Sequence, residues 1–232
     1  MTARVLDGKD QGAEETCPSK DRRRIAPGHV LDRHGLQIMK HTHPALRSLR
    51  KACSTPSLHG TQVWRSSYML MEYLAAHPMS RGQRVMELGC GWGLLGIYCA
   101  KHFPVEVLLT DADAEVFPYA ETHARLNRVQ VRTEQVRFEA ISEQRLREHD
   151  ILLGADICFW PELTTELRRL IERALLLGVR QILLADPGRS TFLRLADDCE
   201  RRFGARLVPL KTARRTGAGG HLLIIDGLGT GA

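Results

Sequence analysis

Residues able to do chemistry gather at three places in this 232-residue chain. The first is Glu87-Leu88-Gly89-Cys90-Gly91-Trp92-Gly93, which follows the short apolar run Arg84–Leu88. Glycines between a strand and a helix let a ligand approach the backbone and let the helix pack close to the sheet. The stretch Gly91 to Gly96 also satisfies G-x-G-x-x-G, a pattern that alone does not separate a dinucleotide from other ligands. The second place is Asp111, which closes the apolar run Val105–Thr110. A carboxylate there can accept both hydroxyls of a ribose, each charge-assisted bond contributing ~1.5–3 kcal/mol. Its other reading is a helix cap, for which Asp113 is better placed. The third is Asp156-Ile157-Cys158-Phe159-Trp160, a carboxylate followed by two aromatic rings. A carboxylate can orient an amine, and ring faces attract its cationic form.

These groups need a scaffold that brings them together. From Arg84 onward, short apolar runs alternate with longer helical ones. Strands are expected at Arg84–Leu88, Val105–Thr110, within Gln130–Phe138, within Asp150–Ala155 and at Val179–Ala185. Between and after them the periodicity predicts helices reaching about His102, over Ala114–Asn127, over Pro161–Leu177 and over Phe192–Phe203. Alternation of this kind implies an α/β, Rossmann-like, mostly parallel sheet with helices on both faces. Ala205–Leu210 and His221–Asp226 have no helix between them, so they pair antiparallel and close a seven-stranded sheet with an antiparallel final strand. In such sheets ligands bind beyond the carboxyl ends of the strands, where all three chemical groups fall. Phe138, at the end of the third strand, reads equally as an adenine-facing ring or as core.

Upstream, Val63, Trp64, Met71 and Leu74 recur at helical intervals within Thr61–Ala76, an amphipathic helix ending before Pro78. Residues 29–80 are expected to form a helical N-terminal extension, residues 81–232 the catalytic domain, and residues 1–28 a disordered basic lead. Residues 1–60 carry 11 Lys/Arg and 6 Asp/Glu, a net +5, against a whole-chain +6. The remainder is therefore nearly neutral, which argues against nucleic acid as a partner. The run Leu88–Ala100 is too short and Gly-rich to span a bilayer, and the polar first residues do not resemble a signal peptide. The six cysteines form no C-x-x-C pair and are expected to be reduced thiols in a cytoplasmic protein. Four histidines, His29, His34, His41 and His43, lack carboxylates at a ligand spacing, so no metal site is expected.

The register E-L-G-x-G-x-G at the strand end, Asp111, the Val63-Trp64 helix start and the D-x-x-F of Asp156 to Phe159 together resemble the seven-β-strand protein lysine methyltransferases. Ala185-Asp186-Pro187-Gly188-Arg189 is similar to the segment after the fifth strand in the electron-transfer-flavoprotein β-subunit lysine methyltransferase branch, which commonly has Tyr where this chain has Phe159. The resemblance covers roughly Gly60 to Asp226. It implies S-adenosyl-L-methionine as cofactor, held by Trp64, Glu87, Gly89, Cys90, Gly91, Asp111, Phe138 and Ala155, and substrate handling by Asp156 and Phe159. The implied methyl acceptor is a lysine side chain of a protein. A small nitrogen-containing molecule and a non-catalytic module keeping the fold are the rival readings.

Overall fold

A computed structural model of the chain describes residues 28–52, 63–210 and 219–227. Two short strands, β1 (Val30–Arg33) and β2 (Leu36–Met39), come first, then helices α1 (Pro44–Ala52) and α2 (Arg65–Ala76). There follow β3 (Arg84–Leu88), α3 (Leu94–His102), β4 (Glu106–Asp111), α4 (Phe117–Asn127), β5 (Arg132–Gln135) and α5 (Glu143–Arg147). The chain continues through β6 (Ile151–Ala155), α6 (Pro161–Leu176), β7 (Gln181–Asp186), α7 (Ser190–Phe203), β8 (Arg206–Leu210) and β9 (Gly220–Asp226).

Side chains alternate across a strand, so a sheet covered on both faces must be apolar at successive positions. Val85, Val107, Leu109, Leu153, Leu183 and Ile224 face one core with α2, α3 and α4. Met86, Leu88, Leu108, Leu152, Leu184 and Ile225 face the other with α5, α6 and α7. The seven strands run in the order β5-β4-β3-β6-β7-β9-β8. β3 pairs parallel with both β4 and β6, and β9 runs antiparallel to both β7 and β8. The expected seven-stranded, mostly parallel sheet with an antiparallel final strand is therefore present. Chain order reverses at β3: one half of the sheet grows outward through β4, the other through β6. Helices leaving the two halves cover opposite faces, and a crevice opens beyond the ends of β3 and β6.

The extension before residue 80 departs from the helical expectation. It begins with an antiparallel hairpin in which Arg33 faces Leu36 across a two-residue turn. His34 (φ 52°) and Gly35 (φ 72°) both take the left-handed conformation. Two positive-φ residues in succession match the twist of paired strands, which is why this turn makes a hairpin. Leu36, Ile38 and Met39 of β2 are buried. Asn127, at the end of α4, extends the strand pairing sideways: its Oδ1 accepts from Gln37 N at 2.8 Å and its Nδ2 donates to Gln37 O at 2.8 Å. His123 Nε2 accepts from Met39 N at 3.2 Å. The expected lead over residues 1–27, Cys17, Cys53 and the helix start at Thr61 lie outside the described residues. The helix expected over Ala114–Asn127 opens with a 3-10 turn at Ala114–Val116, whereas α5 and the single turn at Phe138–Ala140 were not anticipated, being too short to show a period.

Asn127→Ala removes both bonds to Gln37, whose strand N–H and C=O are then left to water. The expected loss is about 1–3 kcal/mol of stability, read by urea denaturation, with faster amide exchange confined to residues 30–39.

Candidate active site

Each part of the site is built by a local necessity. The turn after β3 passes through Gly89 (φ 60°), Gly91 (φ 51°) and Gly93 (φ 67°), a left-handed path that L side chains resist. At Gly91 a Cβ would meet no protein atom within 4 Å, so the backbone there borders open cleft. At Gly93 a Cβ would stand 2.6 Å from Leu109 Cδ1, so glycine is required for α3 to sit against β4.

Asp111 ends β4 and holds the turn in place. Its Oδ2 accepts from Gly91 N at 3.0 Å and its Oδ1 from Asp113 N at 3.0 Å. Burial raises its pKa, and the backbone bonds oppose that rise. Two donors leave lone pairs on an ionised carboxylate for further hydroxyl donors. The helix cap falls to Asp113, whose carboxylate accepts from Glu115 N at 3.0 Å.

Asp156 follows β6 directly and is a non-glycine residue with φ 58°. Its backbone N–H donates to Ala185 O at 2.9 Å, and the residue is 4% exposed. Oδ2 accepts from Ser66 N at 3.0 Å, in the first turn of α2, where helix N–H groups lack internal partners. Oδ1 pairs with Arg189 Nη1 at 2.7 Å. Arg189 Nη1 also lies 2.7 Å from Asp186 Oδ2, and Asp186 Oδ1 accepts from Gly188 N and Arg189 N at 2.9 and 2.8 Å. The guanidinium carbon sits 4.3 Å from the Phe159 ring centre and 6.0 Å from that of Trp64. Trp64 meets Phe159 edge-to-face at 5.2 Å. Three separated segments, before α2, after β6 and after β7, are thus joined at one corner of the crevice.

The crevice itself has a volume of about 340 Å³, within the range of small-molecule sites. Trp64, Gly89, Gly91, Asp111, Phe138, Ala155, Asp156 and Phe159 all line it, joined by apolar Val136, Ile157 and Leu163. Two expected cofactor residues do not. Glu87 points into the core beneath α3, where its Oε2 accepts from Gly96 N at 2.7 Å. Burial pushes its pKa up to about 8. Cys90 is buried, and its N–H is already given to Thr110 O at 2.9 Å. Both shape the turn rather than border the cleft. Glu87 pairs with Leu109, two residues short of Asp111 on the same face, so it stops below the crevice and meets the core under α3. Arg189, Asp186 and Ser66 were missed as site residues. The Ala185–Arg189 segment carried a signal, but Ser66 contributes only a backbone N–H, which no side-chain pattern reveals.

A wider, shallower depression lined by Glu106, Glu121, Arg125 and Arg132 lies at the opposite ends of the strands and holds none of these groups. The N-terminal histidines are spent locally. His29 bonds Thr42 at 2.9 Å, His34 lies 3.7 Å from Glu72, and His41 rests on Trp92 with ring centres 5.2 Å apart. Among the described residues no group of three or more His, Cys, Asp or Glu is arranged to hold a metal ion. No helix among them is long and apolar enough to cross a membrane.

A family profile described as lysine methyltransferase matches residues 48–191, more than half of the chain. The chain belongs to the lysine methyltransferase family. It is 26% identical over 178 residues to the protein-lysine N-methyltransferase EFM3 of Chaetomium thermophilum, covering 69% of this chain and 52% of that protein. To the calmodulin-lysine N-methyltransferase of Arabidopsis thaliana it is 28% identical over 120 residues, 48% of this chain and 40% of that one. The chain thus spans about half, or less, of the curated relatives it matches. In fold it is similar to human methyltransferase 10 domain containing protein (TM-score 0.55, 13% identity, 72% of this chain and 85% of that). The precorrin-6y C5,15-methyltransferase of Geobacter metallireducens is comparable (TM-score 0.56, 8% identity, 76% and 94%). The matched family segment contains the glycine turn, Asp111, Asp156, Phe159 and Arg189.

Glu87 gives this site a testable pH signature. Its pKa rises from 4.5 to about 8 on folding, so the associated stability is full below 4.5 and is lost as pH climbs through about 8. Glu87→Gln keeps an acceptor for Gly96 N without titrating. Thermal melts should show the variant gaining on the parent protein between about pH 5 and pH 9.

Proposed function

We propose that the chain is an S-adenosyl-L-methionine-dependent N-methyltransferase that acts on lysine side chains of a protein substrate. The observation that carries the proposal is one crevice at the strand-order reversal that unites the glycine turn, Asp111 and the Asp156–Phe159–Trp64 corner.

The residues present suit the cofactor. Asp111 keeps acceptor capacity for ribose hydroxyls beside the open backbone of Gly91. Phe138, 9% exposed and lining the cleft, offers its surface to a flat base together with Val136, Ile157 and Leu163. When bound, the cofactor supplies a methyl group on a cationic sulfonium, so the protein has no leaving group to activate. What remains is alignment and exclusion of water. The attacking amine, with an ordinary pKa near ~10.4, has to give up a proton first. Asp156 is fixed by Ser66 and Arg189 and orients the amine, while Trp64 and Phe159 wall the approach.

A protein acceptor is favoured by Trp160, a large aromatic side chain at the mouth that is 50% exposed, as interface anchors are. Two of the relatives are named as a protein-lysine N-methyltransferase and a calmodulin-lysine N-methyltransferase, which supports the same class. Residues 81 onward form the catalytic domain in this reading, and the preceding extension supplies Trp64 to its cleft. A reducing, cytoplasmic setting is supported by four buried free thiols, Cys90, Cys99, Cys158 and Cys199.

Calorimetry with S-adenosyl-L-homocysteine tests the cofactor site: saturable binding is expected, and its absence would end the proposal. Asp111→Ala should weaken that affinity about 10- to 100-fold, the equivalent of one or two charge-assisted bonds. Asp156→Ala should leave it within about threefold, yet lower transfer of tritiated methyl to a heat-treated cell extract by about 100-fold. Unchanged transfer in that variant would remove Asp156 from the mechanism.

A further inference from the structure

The corner that receives the amine holds more charge than a single carboxylate. Asp156 and Asp186 are 4% and 0% exposed, and between them one guanidinium nitrogen touches both. With both carboxylates ionised the cluster sums to one net negative charge. The Arg189 side chain is 25% exposed, and its partners outweigh burial: burial works against the charge, but the bonds to Asp156 and Asp186 hold its pKa above the ordinary value. Asp186 fixes the segment by accepting two backbone N–H groups, so Arg189 leaves the strand end already aimed at Asp156. Its guanidinium also lies over Phe159, which sets the ring against Trp64.

That charge matters because the amine has contradictory needs. Negative charge draws in an ammonium, yet every nearby negative charge also holds the proton that must leave before attack. Two buried carboxylates without a counter-charge would bind the ammonium and keep it protonated. A fully neutral corner would not attract it. We propose that Arg189 is a positioning residue that sets the charge of this corner: by neutralising one of two buried carboxylates it lets Asp156 orient a lysine amine while the ammonium releases its proton to water. Arginine suits the task, since its guanidinium stays protonated and cannot compete as a methyl acceptor the way a lysine there would. This inference rests on the proposed lysine methyltransferase reading and adds to it a residue and a charge balance.

Other charged or titratable groups border the corner or the cleft: Cys158 beneath the loop after β6, His221 opposite Asp186 on β9, Asp111 across the cleft, and Arg137 and Glu139 after β5. They are common to all the variants below, so differences between variants report Arg189 and Asp186.

The test reads the proton on a bound amine directly. The full chain, saturated with S-adenosyl-L-homocysteine, is titrated with n-butylamine labelled with carbon-13 beside nitrogen, and the carbon shift is followed against pH by NMR. In Arg189→Met the bound amine should titrate about one to two pH units higher than in the parent protein, the effect of removing one unit charge a few ångströms away. Arg189→Lys should return it towards the parent value. Asp186→Asn, which keeps an acceptor for the two backbone N–H groups, should move it downward. This opposite sign decides the matter even where Arg189→Met fails to fold. An amine that titrates at the same pH or lower in Arg189→Met, an unmoved titration in Asp186→Asn, or no saturable n-butylamine binding by the parent overturns the inference. Loss of S-adenosyl-L-homocysteine binding by the parent protein is a different result, and strikes the cofactor site itself.

Discussion

A parallel sheet whose chain order reverses part-way across cannot close over its own seam. At β3 the sheet continues to β4 on one side and β6 on the other, and the helices that follow them leave towards opposite faces. The strand ends at that seam are consequently left open, with backbone N–H groups and carboxyl-terminal side chains turned to a cleft. Among the described residues, the glycine turn, Asp111 and the Asp156–Phe159–Trp64 corner all border that opening. Elsewhere the sheet is covered by apolar side chains on both faces.

The two sides of the seam are finished differently. On the β3–β4 side the work falls to backbone: left-handed glycines expose the main chain, and Asp111 pins it through Gly91. Glu87 supports this from beneath, accepting from the N–H of Gly96 inside the core. On the β6–β7 side the work falls to charge. Asp156 and Asp186 are both buried and are tolerated because Arg189 and several N–H groups meet them, as buried charges require. Breaking such a cluster by removing one member is far costlier than never having built it. The cluster ties the ends of β6 and β7 to the first turn of α2.

The N-terminal extension is joined to this framework by similar means. The hairpin has few buried residues of its own and relies on Asn127 and His123 of α4 for its inner edge. His123 is buried and its pKa is lowered to about 4, first by desolvation, so it stays neutral and its Nε2 accepts from Met39 N. Further along, the start of α2 makes two contributions: Trp64, just ahead of the helix, as a wall, and the Ser66 N–H of its first turn as a bond to Asp156.

Much of this could be read in one dimension. Short apolar runs located each of the seven strands and a 3.6-residue period the main helices, because a strand buried on both faces is apolar throughout and a helix packed on the sheet buries one stripe. The glycine turn, Asp111, Asp156 and Phe159 announced themselves by type and place, since they act close to where the chain positions them. The hairpin carried a readable mark, His34-Gly35 between alternating residues, but four-residue strands hold too little pattern to be told from a short helix. Only the folded chain could decide the rest. Whether Glu87 reached the cleft or stopped beneath α3 depended on the register of β3 against β4. The bond from Ser66 to Asp156 spans 90 residues, and the ion pair from Arg189 spans 33. Such partners meet because strands pair in a particular order, and that order is chosen by the packing of the whole sheet.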